Sequence, residues 1–484
     1  MTTASARAAR SIVWAAALLG ALSSTSARGD DPYAAAFGPA PRDTTAAYET
    51  PHYPMLQAPQ YLWNLLVYPL GQFTIYAEHE ELHLQARDLF TNVDHTFGIY
   101  PQVAIGGETS HGLGARLFHT DLWGRGEQLE LLYIFSHPDR QRGEILYEVP
   151  DLVGRPLRLS LTGDYLRTDH HNASINGIVV DEAQQRAAEG DTDLGRLAVE
   201  RADAGAILGW RSFAGPLEEY RKGLEAHISA GFSWRDLTDQ YPGATREYLL
   251  DLDKATPTAR ALPGLGQALS FARLGARLAY DDRDYTPPTR HISHGLNYRF
   301  PGRILVEEAG LYHSYRDLAY PERGHLLEAE AEYATGSDDV RFLRLGAQAQ
   351  YFRTLFWRER VLAVRARLDK VHGLDNGLIP YTELPTLGGS QRLRGYERGN
   401  FRGEGSLLLA AEYRYPVWDS WNAFFFFEEG QIFDEYGDLE VGAFHSCYGA
   451  GLSLRTEQAF LLGLRIAHSA QEDLLAGFSL EQEF

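Results

Sequence analysis

From Thr96 onward, hydrophobic and polar positions alternate with a period of two, as expected of strands with one apolar and one polar face. Leu224, Ala226, Ile228, Ala230, Phe232 and Trp234 alternate with Glu225, His227, Ser229, Gly231 and Ser233. Leu327, Ala329, Ala331 and Tyr333 likewise oppose Glu328, Glu330 and Glu332, and Leu362, Val364, Ala366 and Leu368 oppose Arg365, Arg367 and Asp369. Eleven strands are predicted before residue 372, near 98–106, 112–120, 127–136, 142–150, 156–166, 204–214, 222–236, 268–281, 323–334, 340–355 and 359–371. Five more are predicted near 404–416, 421–434, 446–456, 459–469 and 473–484. The sum is about sixteen, an even number as bacterial barrels require. Long connections are expected at 167–203, 237–267 and 282–322. Periodicity alone also allows a soluble sandwich whose charged faces meet water.

The two ends of the chain favour the membrane. Residues 1–27 have the form of a secretory signal peptide: Arg7 and Arg10, an apolar core from Ile12 to Leu22, and small residues at Thr25-Ser26-Ala27. No later apolar run reaches the roughly 18–20 residues a spanning helix needs, so a membrane form must be a barrel. The chain ends on a strand-like run containing Phe478, Leu480 and Phe484, similar to the closing strand of outer-membrane barrels that their assembly machinery reads. The expected organisation is therefore a signal peptide (1–27), a periplasmic leader with an amphipathic helix (28–94) and an all-β transmembrane antiparallel barrel (95–484). Within the leader, residues 57–90 carry helical spacing broken at Pro69.

Composition removes several alternatives. The net charge is −20, from 65 acidic and 45 basic residues, which argues against a nucleic-acid partner. Cys447 is the only cysteine, so no internal disulfide holds the fold, and a buried, inert thiol is expected. His79-Glu80-Glu81-Leu82-His83 spells the H-E-x-x-H of zinc proteases. It lacks a third-ligand extension, precedes the strands, and sits in a chain with 17 histidines. Neither metal nor cofactor is expected, and no Gly-x-Ser-x-Gly elbow supports a hydrolase, so the protein is read as a non-enzyme.

Between the last two groups of strands lies Pro385-Thr386-Leu387-Gly388-Gly389-Ser390-Gln391-Arg392-Leu393-Arg394-Gly395-Tyr396. Gly388 and Gly389 supply a sharp turn, and Gly395 lets the backbone fold back beside the guanidinium of Arg394. The stretch resembles the inward-folded sixth extracellular loop of the bacterial surface-antigen superfamily of outer-membrane β-barrels. That superfamily includes the BamA and TamA assembly factors and the two-partner-secretion transporters. Glu412-Tyr413-Arg414-Tyr415-Pro416 is similar to the family's next strand, and Asp281-Asp282-Arg283 with Pro321-Glu322-Arg323-Gly324 to its Asp-x-Arg…Pro-x-x-Gly turn, here split by an insertion.

The resemblance implies a lumenal carboxylate for Arg394. Phe426-Phe427-Glu428-Glu429-Gly430 matches the family's Phe-x-Asp-x-Gly with glutamate for aspartate, so Glu428 is the implied partner. Alternation then places Phe426 and Gly430 on the inner face, as a wall and a gap for Tyr396 or the loop backbone, with Phe425 and Phe427 toward lipid. Arg392 is either a second lumenal cation or loop charge.

The space between signal peptide and barrel is too short for the usual periplasmic POTRA domains, implying a short, POTRA-less member. As function, the resemblance implies insertion or translocation of proteins or lipids in the bacterial outer membrane. Its implied partners are outer-membrane lipid, client outer-membrane or secreted polypeptides, and the barrel assembly machinery for its own insertion. The alternative is a porin-like diffusion channel whose ion preference is set by lumenal Glu328, Glu330, Glu332, Glu412, Arg344, Arg365 and Arg367.

Overall fold

A computed structural model describes residues 89–479 apart from 95, 106–110, 125–126, 139, 150–151, 153–156, 174–194, 212–222, 239–262, 284–320, 356–359, 419–420, 456–459 and 471–473. The expected signal peptide, most of the helical segment at 57–90, and the H-E-x-x-H stretch lie outside the described residues. The strand-bearing unit, Ala86–Asp438 with His445–Phe484, is described here by itself.

The fold is all-β, an antiparallel transmembrane barrel of sixteen strands hydrogen-bonded in chain order. The first eight strands are β1 (Phe97–Ile105), β2 (His111–His119), β3 (Gln128–His137), β4 (Arg140–Val149), β5 (Leu157–Ala173), β6 (Gly195–Arg211), β7 (Gly223–Thr238) and β8 (Ala268–Asp281). They continue through β9 (Gly324–Gly336), β10 (Arg341–Thr354) and β11 (Val361–Gly373). The chain then leaves the wall for a long loop that carries a ribbon of its own, β12 (Thr386–Leu387) paired with β13 (Phe401–Arg402). It returns as β14 (Gly405–Trp418), β15 (Trp421–Phe433), β16 (His445–Arg455), β17 (Phe460–Ser469) and β18 (Leu475–Ser479).

The two-residue period decides which side chains meet lipid. On β8, Leu274, Leu278 and Tyr280 are exposed, whereas Phe271 and Ala279 on the other face are buried. Phe425 and Phe427 of β15 are exposed and Phe424, Phe426 and Glu428 are buried. A soluble protein would not show so many large apolar side chains on one continuous face; a bilayer covers them.

β5 and β6 run further than expected, narrowing the predicted connection at 167–203 to 174–194. Each is 17 residues long, against the roughly 9–11 that cross the hydrocarbon layer. Beyond that layer an apolar face is no longer needed, so Arg196, Glu200 and Arg201 do not interrupt the pairing, which continues past a bulge between Thr168 and His171. Alternation cannot reveal strand where neither face is apolar.

The interior is packed where the loop meets the wall. Leu387, Leu393, Tyr396 and Phe401 of the loop form one core with Leu408, Phe426 and Cys447 of the strands. Ile379 joins a second core with Phe271, Phe342 and Val371. The split turn between β8 and β9 also closes: the Asp282 backbone N–H donates to the His325 carbonyl at 3.0 Å. Arg283 is buried on Asp281 and donates to Gln350 at 3.0 Å. Gly324, at φ +106°, packs against the Arg283 backbone where a Cβ would clash, which sets the start of β9.

Candidate functional site: the lumenal loop

The loop after β11 turns inward at Gly388 and Gly389, whose φ values of +105° and +108° are open to glycine at little cost. Two hydrogen bonds close the turn. The Gly388 N–H donates to the Arg392 carbonyl at 2.6 Å, and the Gly389 N–H to the Tyr396 carbonyl at 2.9 Å. Leu393 is held at φ +66°, which costs a non-glycine residue on the order of 1–3 kcal/mol. Its complete burial against Leu387 and the wall offsets that strain, and the next residue is Arg394.

Sheet register gathers what Arg394 meets. Glu412 on β14 stands opposite Phe426 on β15, and Glu428 stands opposite Cys447 on β16, so all four share the inner face. The Arg394 guanidinium donates through Nε to Glu428 Oε1 at 2.8 Å and through Nη1 to Glu412 Oε2 at 2.5 Å. The Arg394 backbone N–H donates to the second Glu428 oxygen. Phe426 lies flat beneath, its ring centroid 3.9 Å from the guanidinium carbon. Neither Arg394 nor Glu428 has any side-chain exposure. Glu412 also accepts from Arg414 Nε at 2.9 Å, so it is shared between two guanidiniums. A buried ionic cluster needs such pairing if it is not to carry an uncompensated charge.

The other expected residues surround this cluster. The Gly395 N–H donates to the Cys447 sulfur at 3.2 Å, and a Cβ on Gly395 would stand 2.4 Å from that of Cys447. The gap at Gly430 is filled by Leu387 and Leu393. Tyr396 instead packs edge-on against Phe401 and donates its hydroxyl to the Ser446 carbonyl at 3.3 Å. Arg392 faces inward, 3.7 Å from Asp369. Phe478 lies in β18, its backbone opposite Leu464, while Leu480 and Phe484 fall outside the described residues.

Several contacts were not visible in sequence. Glu412, read as a lumenal charge under the channel alternative, is the second partner of Arg394; its two-residue spacing from Arg414 was the available signal. At the loop's other end, Glu383 in the turn Tyr381–Glu383 accepts from Arg235 Nε on β7 at 2.9 Å and from Arg344 Nη2 on β10 at 2.8 Å. Burial alone would raise the Glu383 carboxyl, but Arg235 and Arg344 outweigh it and hold it at about 2. Other charges expected to line a channel are also paired: Glu328 with Arg277, and Arg367 with Asp369. Arg365 donates to the Gln391 carbonyl of the loop. A cavity of about 150 Å³ remains between the loop and the β5–β11 wall, lined by charges of both signs.

Solved structures similar to this one include three bacterial proteins. BamA from Haemophilus ducreyi lacking POTRA domains 1–3 aligns with a TM-score of 0.50 at 13% identity, covering 79% of this chain and 69% of that one. CdiB from Acinetobacter baumannii gives a TM-score of 0.42 at 10% identity, covering 79% of this chain and 65% of that one. For CdiB from Escherichia coli the values are 0.41 and 10%, with 81% and 68% covered. A comparison with curated proteins finds no match. The Omp85 superfamily domain matches residues 121–468, well over half the chain. With that match and the BamA-like barrel in place, this chain belongs to the Omp85 superfamily.

Proposed function

We propose that this barrel resides in the bacterial outer membrane and assists the insertion or translocation of proteins or lipids, without covalent chemistry, with the lumenal loop as its positioned internal element. The carrying observation is the buried cluster of Arg394 with Glu428 and Glu412, joined by a backbone N–H from Arg394 itself. A loop that only shielded the barrel mouth would not need both its side chain and its main chain held by the same carboxylate. Family membership supports the class of activity, and clients are expected to be outer-membrane or secreted polypeptides.

The test is reconstitution of the full chain in liposomes with an unfolded outer-membrane β-barrel as client. The readout is the client fraction that becomes protease-protected and heat-modifiable, compared with empty liposomes. A several-fold gain supports the reading. No gain, together with a large and steady conductance in planar bilayers, replaces it with the diffusion channel. The charged cavity beside the loop is the observation that favours that second reading.

A further inference from the structure

The loop's far end is held by a cluster that the Leu-Arg-Gly-Tyr stretch does not explain. Glu383 is buried between Arg235 of β7 and Arg344 of β10, and the Arg344 nitrogen that reaches its carboxylate also donates to its backbone carbonyl at 2.7 Å. Arg235 and Arg273 of β8 both donate to Asp203 of β6, at 3.0 and 2.7 Å, so four wall strands share this cluster. Arg402 of β13 donates to the Tyr381 carbonyl at 2.8 Å and stacks on the Tyr381 ring at 4.3 Å, tying the turn to the loop's own ribbon. In the sheet, β8, β9, β10, β11 and β14 separate β7 from β15. The loop is therefore gripped by two different sets of wall strands, whose nearest members, β10 and β14, flank β11.

The chemistry of this second grip suits release. Replacing buried ion pairs by apolar contacts is often neutral or stabilising at either end of the loop, so what sets the Glu383 grip apart is its place beside a cavity. Charged groups that border a cavity with room for water can exchange a partner for water, and Arg235, Arg273, Arg344 and Glu383 all line the cavity beside the loop. We propose that Glu383 is a second, releasable latch: it holds the loop to the β7–β10 wall as Arg394 holds it to the β14–β15 wall, and ions pass the lumen freely only when both are undone. The latch concerns where the loop sits and not what the barrel moves, so failure of the client assay leaves it standing, and its own failure leaves the client reading untouched.

The experiment is single-channel recording of the full chain in planar bilayers, comparing wild type, Glu383→Gln, Arg394→Ala and the double variant. Each is first required to run as the compact, heat-modifiable band. Either single substitution is expected to give brief openings. The double should raise the open fraction about tenfold over Arg394→Ala, the scale of ~1.4 kcal/mol for one lost charge-assisted hydrogen bond, and by more than that over Glu383→Gln. Arg235→Gln, which undoes the latch from the wall side, should reproduce Glu383→Gln in combination with Arg394→Ala and serves in its place if Glu383→Gln does not fold. Glu383→Asp keeps the charge and should read closer to wild type than Glu383→Gln does. The proposal is overturned if the double variants match Arg394→Ala alone, or if Glu383→Asp and Glu383→Gln behave alike.

Discussion

The two ends of the lumenal loop are held by the same kind of chemistry in different settings. At Arg394 the loop contributes the cation and the wall two carboxylates; at Glu383 the loop contributes the carboxylate and the wall two guanidiniums. The Arg394 cluster is sealed by Phe426 below and by the Leu387, Leu393 and Tyr396 core around it. The Glu383 cluster borders the charged cavity. Seclusion decides how hard each is to undo, because an ion pair cut off from water has no substitute partner when one member is lost.

The largest effect is expected at the sealed end. Arg394→Ala leaves Glu428 without its principal partner in a site with no exposure, at a cost of ~3–5 kcal/mol in loop docking. Limited proteolysis of the folded barrel should cut the loop readily, while the strand content seen by circular dichroism is kept. Arg394→Lys should fall nearly as far, since a single ammonium cannot serve Glu428 and Glu412 while lying flat on Phe426. If Arg394→Lys protects the loop like wild type, the two-carboxylate geometry is not what holds it.

What could be read in the sequence divides along the same line. Alternation revealed the barrel because lipid on one side and a polar lumen on the other impose a period of two on each spanning strand. It failed at the outer halves of β5 and β6, where neither face needs to be apolar. Glu428 could be named because Phe426, Glu428 and Gly430 keep a family spacing on one strand. Glu383 could not. It is a lone carboxylate in Tyr381-Thr382-Glu383-Leu384, and its partners Arg235 and Arg344 lie 148 and 39 residues away, paired by a tertiary fold that local pattern does not encode. Glu412 was nameable in principle, since Glu412 and Arg414 point to one face, but a charged inward pair looks the same whether it lines water or grips a loop.

A smaller effect sharpens how tightly the sealed end is packed. Gly395→Ala puts a methyl 2.4 Å from the Cys447 Cβ, where β16 cannot easily yield. Overpacking of this kind costs ~1–3 kcal/mol. The loop should therefore be cut faster than in wild type but slower than in Arg394→Ala. In Gly395→Ala with Cys447→Gly, which vacates the space, protection should recover. Failure to recover would mean that the glycine is needed for something other than the approach to Cys447.

The least change is expected from acid at the Glu383 end. The folded carboxyl is held at about 2, below its ordinary 4.5. A depressed carboxylate contributes its stabilisation fully above the ordinary value and loses it as pH falls through the folded one. The groups facing it are Arg235, Arg344 and Arg273, which keep their charge across this range, and Asp203, which Arg235 and Arg273 engage. Between pH 7 and pH 5 the open fraction of Arg394→Ala, which leaves Glu383 as the remaining latch, should stay level. It should rise only as pH falls from about 4.5 toward 2, and Glu383→Gln in the same background should remove that acid limb. A rise already at pH 6 would place the sensitive group elsewhere in the lumen and would mean that the cavity does not weaken this latch through Glu383 itself.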